Sequence, residues 1–417
     1  MYQLDWVTRF RLNIGKPAVP IRPVVWRLGY TSLLTDVSSE MVNSLLPVYL
    51  VLHLHLGTLQ YGAIDGLYNG AALALLGLAG GLIADRTRRP KEVAAVGYGL
   101  SAACKPLLLL VGAAWSLIAA VIAIDRCGKG IRTAPRDAII SLNTPDESLA
   151  SAFAVHRALD AGGALLGPIV AFVLLSLFPA RFDTIWLTSF VFGFLGLAVL
   201  WLFVENPDSA HSSVRHAFSW RQIFAATAGR GFWPIAAAGF LLSAMTVSDG
   251  FFYLLLQRRA ELNVGFFPLF YVVTACIYML LSIPIGRVAD RYGRLPVLIS
   301  GYLVVVAIYV VLLGVSVSGV YLCGLCLLLL GIHYAATEGV LVAMASALLP
   351  SEYRSSALAI LATMVSLGRF SSSIVFGWIW QSFNARAAIE VLALGLAATI
   401  LVAVTWLRRS GDARFAR

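Results

Sequence analysis

Long apolar stretches alternate with short polar connections along the whole chain. A bilayer core about 30 Å thick is crossed by roughly 20 apolar residues rising 1.5 Å each in a helix. Twelve runs meet that length, at 24–52, 60–84, 93–113, 115–138, 150–178, 184–204, 231–257, 265–286, 296–316, 318–348, 356–380 and 386–407. The pattern predicts an all-α polytopic membrane protein with twelve transmembrane helices.

Composition agrees. Of the 417 residues 59% are hydrophobic and 12% charged, against about 25% charged in a soluble domain. Mean hydropathy is +0.84. The formal net charge of +10 would suggest a nucleic-acid partner in a soluble chain. Here it follows from basic residues gathered in cytoplasmic loops, and nucleic-acid binding is excluded. The five cysteines lie in or beside apolar runs, and Cys323 and Cys326 read as packing residues rather than a metal or redox pair. The N-terminal stretch lacks the pattern of a cleaved signal and reads as a cytoplasmic tail.

Arginine and lysine mark alternate connections, from Arg9, Arg11, Lys16 and Arg22 through Arg86 to Lys91 and on to Arg408–Arg417. The opposite connections hold only Arg181, Arg258, Arg259 and Arg386. Both termini are therefore expected in the cytoplasm, in a multi-pass protein of the bacterial inner membrane. The longest polar connection follows the sixth run, so the expected division is a six-helix bundle at 1–205, a linker at 206–230 and a second bundle at 231–417. A shift of 205 positions superposes Gly81, Ala84, Asp85, Arg86 and Arg89 on Gly286, Ala289, Asp290, Arg291 and Arg294. The same shift superposes Pro145, Glu147, Ser151, Ala152 and Ala154 on Pro350, Glu352, Ser356, Ala357 and Ala359. One offset serving two separate regions indicates a duplicated six-helix unit, with the halves related by pseudo-two-fold symmetry.

The loop after the second run matches G-x-x-x-D-R-x-x-R-R at Gly81, Asp85, Arg86 and Arg89, with Arg88 beside them and Pro90 ending it in an unusual way; Arg126 and Gly130 match R-x-x-x-G; Gly163, Gly167 and Pro168 match G-x-x-x-G-P. On these elements nearly the whole chain resembles the major facilitator superfamily, and DRCGKGIRTAPRDAI is similar to a poorly characterised bacterial branch of it. Ala171 and Phe172 stand where drug antiporters carry two further glycines. The resemblance implies transport by alternating access, usually as a monomer. It makes the two charged loops a conformational latch in the outward-open state, through Gly81, Asp85, Arg86 and Arg89 and their counterparts Gly286, Asp290, Arg291 and Arg294. Gly130, Gly163, Gly167 and Pro168 are expected at close helix contacts.

An ionisable side chain at mid-bilayer costs at least about 2.5–3.5 kcal/mol on insertion scales, so each one needs a role. Asp36 and Glu40 share one face of the first helix. Two close carboxylates repel, which favours their holding a proton, as a proton carrier requires. Arg126 and Lys129 in the fourth helix suggest either an anionic substrate group or counter-ions for those acids. His156, Asp160, Gly163 and Gly167 form one stripe of the fifth helix, with Arg157 turned elsewhere. Lys105 completes the N-terminal set, and Asp65 is placed near the outer interface with low weight. The C-terminal half offers Asp249, His333, Glu338 and Arg369 and is expected to supply the more apolar wall. His53 and His55 are a weak metal signal; no metal or cofactor is expected. No phosphate-binding loop, zinc-protease motif or catalytic triad is present, so neither ATP-driven transport nor enzymatic chemistry is indicated. The expectation is a proton-coupled secondary transporter of a small solute, with efflux by antiport slightly preferred and an anionic or zwitterionic substrate favoured. Alternatives are a proton- or sodium-coupled importer, a uniporter, export of a cationic drug or metal ion, or a receptor or assembly factor that moves nothing.

Overall fold

The computed structural model describes residues 21–69, 83–84, 86–87, 89–145, 148–206, 227, 231–314, 319–349 and 354–410. Gly81, Asp85 and Arg88 of the first charged loop, and most of the expected linker, lie outside the described residues. In the first half the helices are α1 (Pro23–Asn43), α2 (Thr58–Asn69), α3 (Pro90–Leu110), α4 (Trp115–Leu142), α5 (Leu149–Leu177) and α6 (Phe182–Phe203). In the second they are α7 (Phe232–Ala244), α8 (Asp249–Ala260), α9 (Phe267–Tyr292), α10 (Arg294–Gly314), α11 (Val320–Ser346), α12 (Arg354–Ser382) and α13 (Ala385–Ser410). Helices α7 and α8 make one broken crossing, so the chain crosses twelve times. Nine crossings among the described residues are long and apolar enough to span a bilayer on those grounds alone.

The halves repeat each other in packing as they do in sequence. Helix α1 lies against α5 and α6, and α3 against α4 and α6; in the second half α7 lies against α12 and α13, and α10 against α11 and α13. The halves meet along α2 with α12 and α5 with α9, again an exchange of equivalents. This is the arrangement of two six-helix bundles about a pseudo-two-fold axis.

The first crossing of each half departs from the expected continuous helix. Helix α1 stops at Asn43, and the chain resumes as a π-helical turn over Val48–His53. The seventh crossing breaks at Met245–Ser248. A break inside a bilayer frees backbone groups that must find partners within the protein. Here the Val247 N–H donates to the Tyr309 hydroxyl at 2.8 Å, and that hydroxyl donates to the Met245 carbonyl at 3.1 Å. Ser372 Oγ donates to the Thr246 carbonyl at 2.6 Å. The break places Asp249 in the first turn of α8, where the helix dipole favours a negative charge.

At one end of the molecule the halves are joined. Thr58 Oγ1 donates to the Gly377 carbonyl at 2.9 Å, and the Leu59 N–H donates to Gln381 Oε1 at 2.9 Å. Ser373 Oγ donates to Asp65 Oδ2 at 2.6 Å, and the rings of Phe172 and Phe266 lie 5.8 Å apart. Toward the other end, Arg86, Arg89, Asp290 and Arg291 are exposed.

Candidate functional site

The expected helix-packing glycines bring α5 onto α1. A Cβ at Gly167 would lie 2.8 Å from both the Val37 carbonyl oxygen and Glu40 Cβ, and one at Gly163 would strike the Leu33 carbonyl. Pro168 lies within α5 and Gly130 is buried in α4. The close approach of α3 to α4 is made elsewhere, at Gly97 and Gly128, where an added Cβ would come within 2.6 Å of the other residue's carbonyl oxygen.

Those contacts hold two charged clusters inside the first half. The first is sealed. Lys105, Asp125 and Arg126 are 2%, 1% and 2% exposed. Lys105 Nζ reaches Asp125 Oδ1 at 2.9 Å, and the Arg126 guanidinium pairs with Asp125 Oδ2 while stacking 3.7 Å from the centre of the Tyr68 ring. Ser101 also donates to Asp125. Asp125 is the residue that sequence reasoning missed. Its signal was present, an acid directly before Arg126 in a helix crowded with cations, but only the fold brings Lys105 to it.

The second cluster joins α1, α3, α4 and α5. Arg132 lies 3.6 Å from Asp36 and 4.4 Å from the centre of the Tyr98 ring. Asp36 and Asp160 are neighbours across the α1–α5 contact, and Lys129 adds its field to Asp36. Arg136 pairs with Asp137 at 2.9 Å and approaches Asp160 at 3.9 Å. Ser32 Oγ bonds His156 Nε2 at 3.0 Å and lies 3.4 Å from Arg136 Nη1. Asp36 therefore finds its close acidic partner in Asp160 across the α1–α5 contact. Glu40 instead accepts from Asn43 Nδ2 at 2.8 Å. Arg157 is exposed, outside both clusters.

A cavity of about 380 Å³ lies between the halves. From the first half Asn43, Asp65 and Asn69 line it; from the second, Asp249, His333, Glu338 and Arg369. Its wall runs along α12 from Arg369 to Leu358, which is roughly 16 Å of helix at 1.5 Å per residue. The second half supplies the apolar side chains of this wall, among them Leu341, Val342, Leu358, Leu361 and Val365, but it is not purely apolar. Arg369 pairs with Glu338 at 3.2 Å, and the Tyr334 hydroxyl donates to Asp249. His333 Nδ1 bonds the Gly301 carbonyl at 3.0 Å, and its ring meets Tyr302 edge-on at 5.1 Å. Asp65 is also not an interfacial charge. It is 8% exposed, lines the cavity, and takes hydrogen bonds from Ser373 of the other half and, at 3.3 Å, from Tyr61 and Asn69 of its own helix.

Most of the cations behind the expectation of an anionic substrate are paired with carboxylates, Arg126 with Asp125, Arg132 with Asp36, and Arg136 with Asp137 and Asp160, as Lys105 is with Asp125; Lys129 forms no ion pair among the described residues and acts on Asp36 only through its field. In the second charged loop Arg294 pairs with Asp290 at 3.6 Å and donates to the Ala343 carbonyl at 3.0 Å, both within its own half. Gly286 has open space where a Cβ would stand. The ring of His53 packs on Tyr49 and Phe182, and no set of three metal-ligating side chains occurs among the described residues.

Two helical bundles of matching topology around a polar cavity, all within a membrane-spanning chain, define a membrane transporter. The sequence profile of the Major Facilitator Superfamily matches residues 28–278 and 262–415, and the chain belongs to that family. It is 33% identical over 371 residues to the uncharacterized MFS-type transporter MJ1317 of Methanocaldococcus jannaschii, covering 86% of this chain and 88% of that protein. It is 27% identical over 412 residues to the uncharacterized protein Mb2288 of Mycobacterium bovis, covering 94% and 95%. Among solved structures, the nucleoside transporter NupG superposes with a TM-score of 0.75 at 15% identity, over 93% of this chain and 99% of that one. A bacterial homologue of the human lysosomal transporter Spinster, inward-facing and occupied, gives 0.67 at 17% identity, over 94% and 96%. At these identities the likeness concerns the fold.

Proposed function

We propose that the protein is a proton-coupled secondary transporter that exports a small polar solute by alternating access. The observation that carries this reading is the cavity between the halves, walled by both and closed by inter-half hydrogen bonds at one end. Rocking two rigid bundles about such a site opens it to each side in turn. The cavity extends along α12 toward Leu358 and the Arg-rich connections, which the positive-inside rule assigns to the cytoplasm. This conformation is then inward-facing, with both termini cytoplasmic. Residues 1–205 and 231–417 act as the moving bodies, working as a monomer in the inner membrane, with 206–230 between them. The loops of Gly81, Asp85 and Arg89 and of Gly286, Asp290 and Arg294 close the cytoplasmic end in the opposite state.

Proton carriage falls to Asp36 and Asp160. Two neighbouring carboxyls across the α1–α5 contact, each beside an arginine, give a proton site that is filled or emptied according to exposure. Arg132 and Arg136 stabilise the proton-free form. The test is purified protein in proteoliposomes loaded with a pH-sensitive dye and challenged with a panel of solutes. A transported solute is expected to alter internal pH in the wild type, and Asp36→Asn with Asp160→Asn is expected to abolish that signal. Flux that ignores an imposed pH gradient and survives both substitutions would refute proton coupling.

A further inference from the structure

The cavity wall carries an unbalanced charge. Three carboxylates, Asp65, Asp249 and Glu338, face one guanidinium, Arg369, and Glu338 already occupies that guanidinium at 3.2 Å. Asp65 and Asp249 form no ion pair among the described residues; their partners are neutral hydroxyl and amide donors. His333 bonds a backbone carbonyl through Nδ1. The buried cations of the first half are engaged by their own acids. A buried carboxylate without a countercharge is costly, by several kcal/mol, and a cationic ligand removes that cost. Tyr271 and Tyr334 line the same space, and aromatic faces attract an ammonium within about 6 Å of the ring centre. The volume of about 380 Å³ suits a small organic molecule.

We infer that the transported solute carries a protonated amine, bound between Asp65 of the first half and Asp249 of the second. The inference rests on reading this cavity as the transport site. Because the two acids come from different halves, the amine site is complete only while the halves are apposed, so binding biases the conformational equilibrium. An anionic solute would meet two unpaired carboxylates and would have to displace Glu338 from Arg369.

The experiment uses full-length purified protein carrying Ser366→Cys in the cavity wall, with Cys127→Ser and Cys276→Ser. Modification by a trimethylammonium-bearing methanethiosulfonate and by its sulfonate counterpart is followed by mass spectrometry, each rate divided by that for free cysteine. The cationic reagent is expected to lead by on the order of tenfold, and the lead is expected to collapse in Asp65→Asn or Asp249→Asn. In parallel, 2-phenylethylammonium is expected to raise the unfolding temperature of the wild-type protein, and 3-phenylpropionate is not. Equal rates, a faster anionic reagent, stabilisation by the carboxylate, or stabilisation by neither compound while position 366 is labelled would each overturn the amine site. Failure of both reagents to reach position 366 would instead overturn the cavity as a transport site. The wild-type comparison remains decisive if a variant does not fold.

Discussion

Ser373→Ala removes the shortest of the hydrogen bonds that join the halves at the closed end, the 2.6 Å bond from Ser373 Oγ to Asp65. A hydrogen bond to a charged group is worth about 1.5–3 kcal/mol, and one to a neutral group about 0.5–1.5 kcal/mol. Tyr61 and Asn69 keep their longer bonds to the same carboxylate, both at 3.3 Å, so Asp65 is not stripped of partners. The loss is therefore placed near 1.5 kcal/mol, and since 1.4 kcal/mol is a factor of ten, the ratio of opened to closed molecules at this end should rise about tenfold. Spin labels at Leu110 and Phe383, 80% and 69% exposed at this end of opposite halves, read that ratio by pulsed electron resonance as a growing long-distance population. Ser373→Thr retains the hydroxyl and is expected to stay nearer the wild-type ratio. A distance distribution that Ser373→Ala leaves unchanged within twofold would show that this bond does not hold the halves together.

Asp125→Ala leaves Lys105 and Arg126 buried without their acid, and breaking such a pair costs about 3–5 kcal/mol; thermal unfolding in detergent should show the loss, and Lys105→Met should recover part of it. Gly167→Val places side-chain atoms against the backbone of α1 at Val37 and Met41; overpacking of about 1–3 kcal/mol or more should appear as a reduced yield of monodisperse protein. Tyr334→Phe removes the hydroxyl that donates to Asp249; a change of about 0.5–1.5 kcal/mol, or roughly two- to tenfold in binding of an amine probe, is expected by titration calorimetry with no loss of folded protein. Asp36→Asn should abolish gradient-driven flux in proteoliposomes while leaving exchange of labelled for unlabelled solute intact, and loss of both would instead indicate a damaged fold.

The architecture was legible in the sequence because a bilayer imposes a simple rule: about 20 apolar residues per crossing, with arginine and lysine marking one side. The repeat at an offset of 205 residues likewise announced two equivalent bundles. Helical spacing could place Asp36 with Glu40 and His156 with Asp160, because three- and four-residue intervals share a face within one helix. It could not pair residues on different helices. That Asp36 meets Asp160 and Arg132, and that Lys105 meets Asp125, depends on how close α1 comes to α5 and α3 to α4 at their glycines. The breaks at Ser44–Pro47 and Met245–Ser248 were also hidden, since both fall inside long apolar runs, and at the second the freed backbone is satisfied by side chains distant in sequence. Most consequentially, the cations counted along α4 suggested an anionic cargo, whereas packing pairs Arg126, Arg132 and Arg136 with acids and leaves Asp65 and Asp249 facing the cavity. Sequence determines which charges enter the membrane; tertiary structure decides which neutralise one another and which remain for a solute, because attraction between charges depends on distances across helices that no linear spacing encodes.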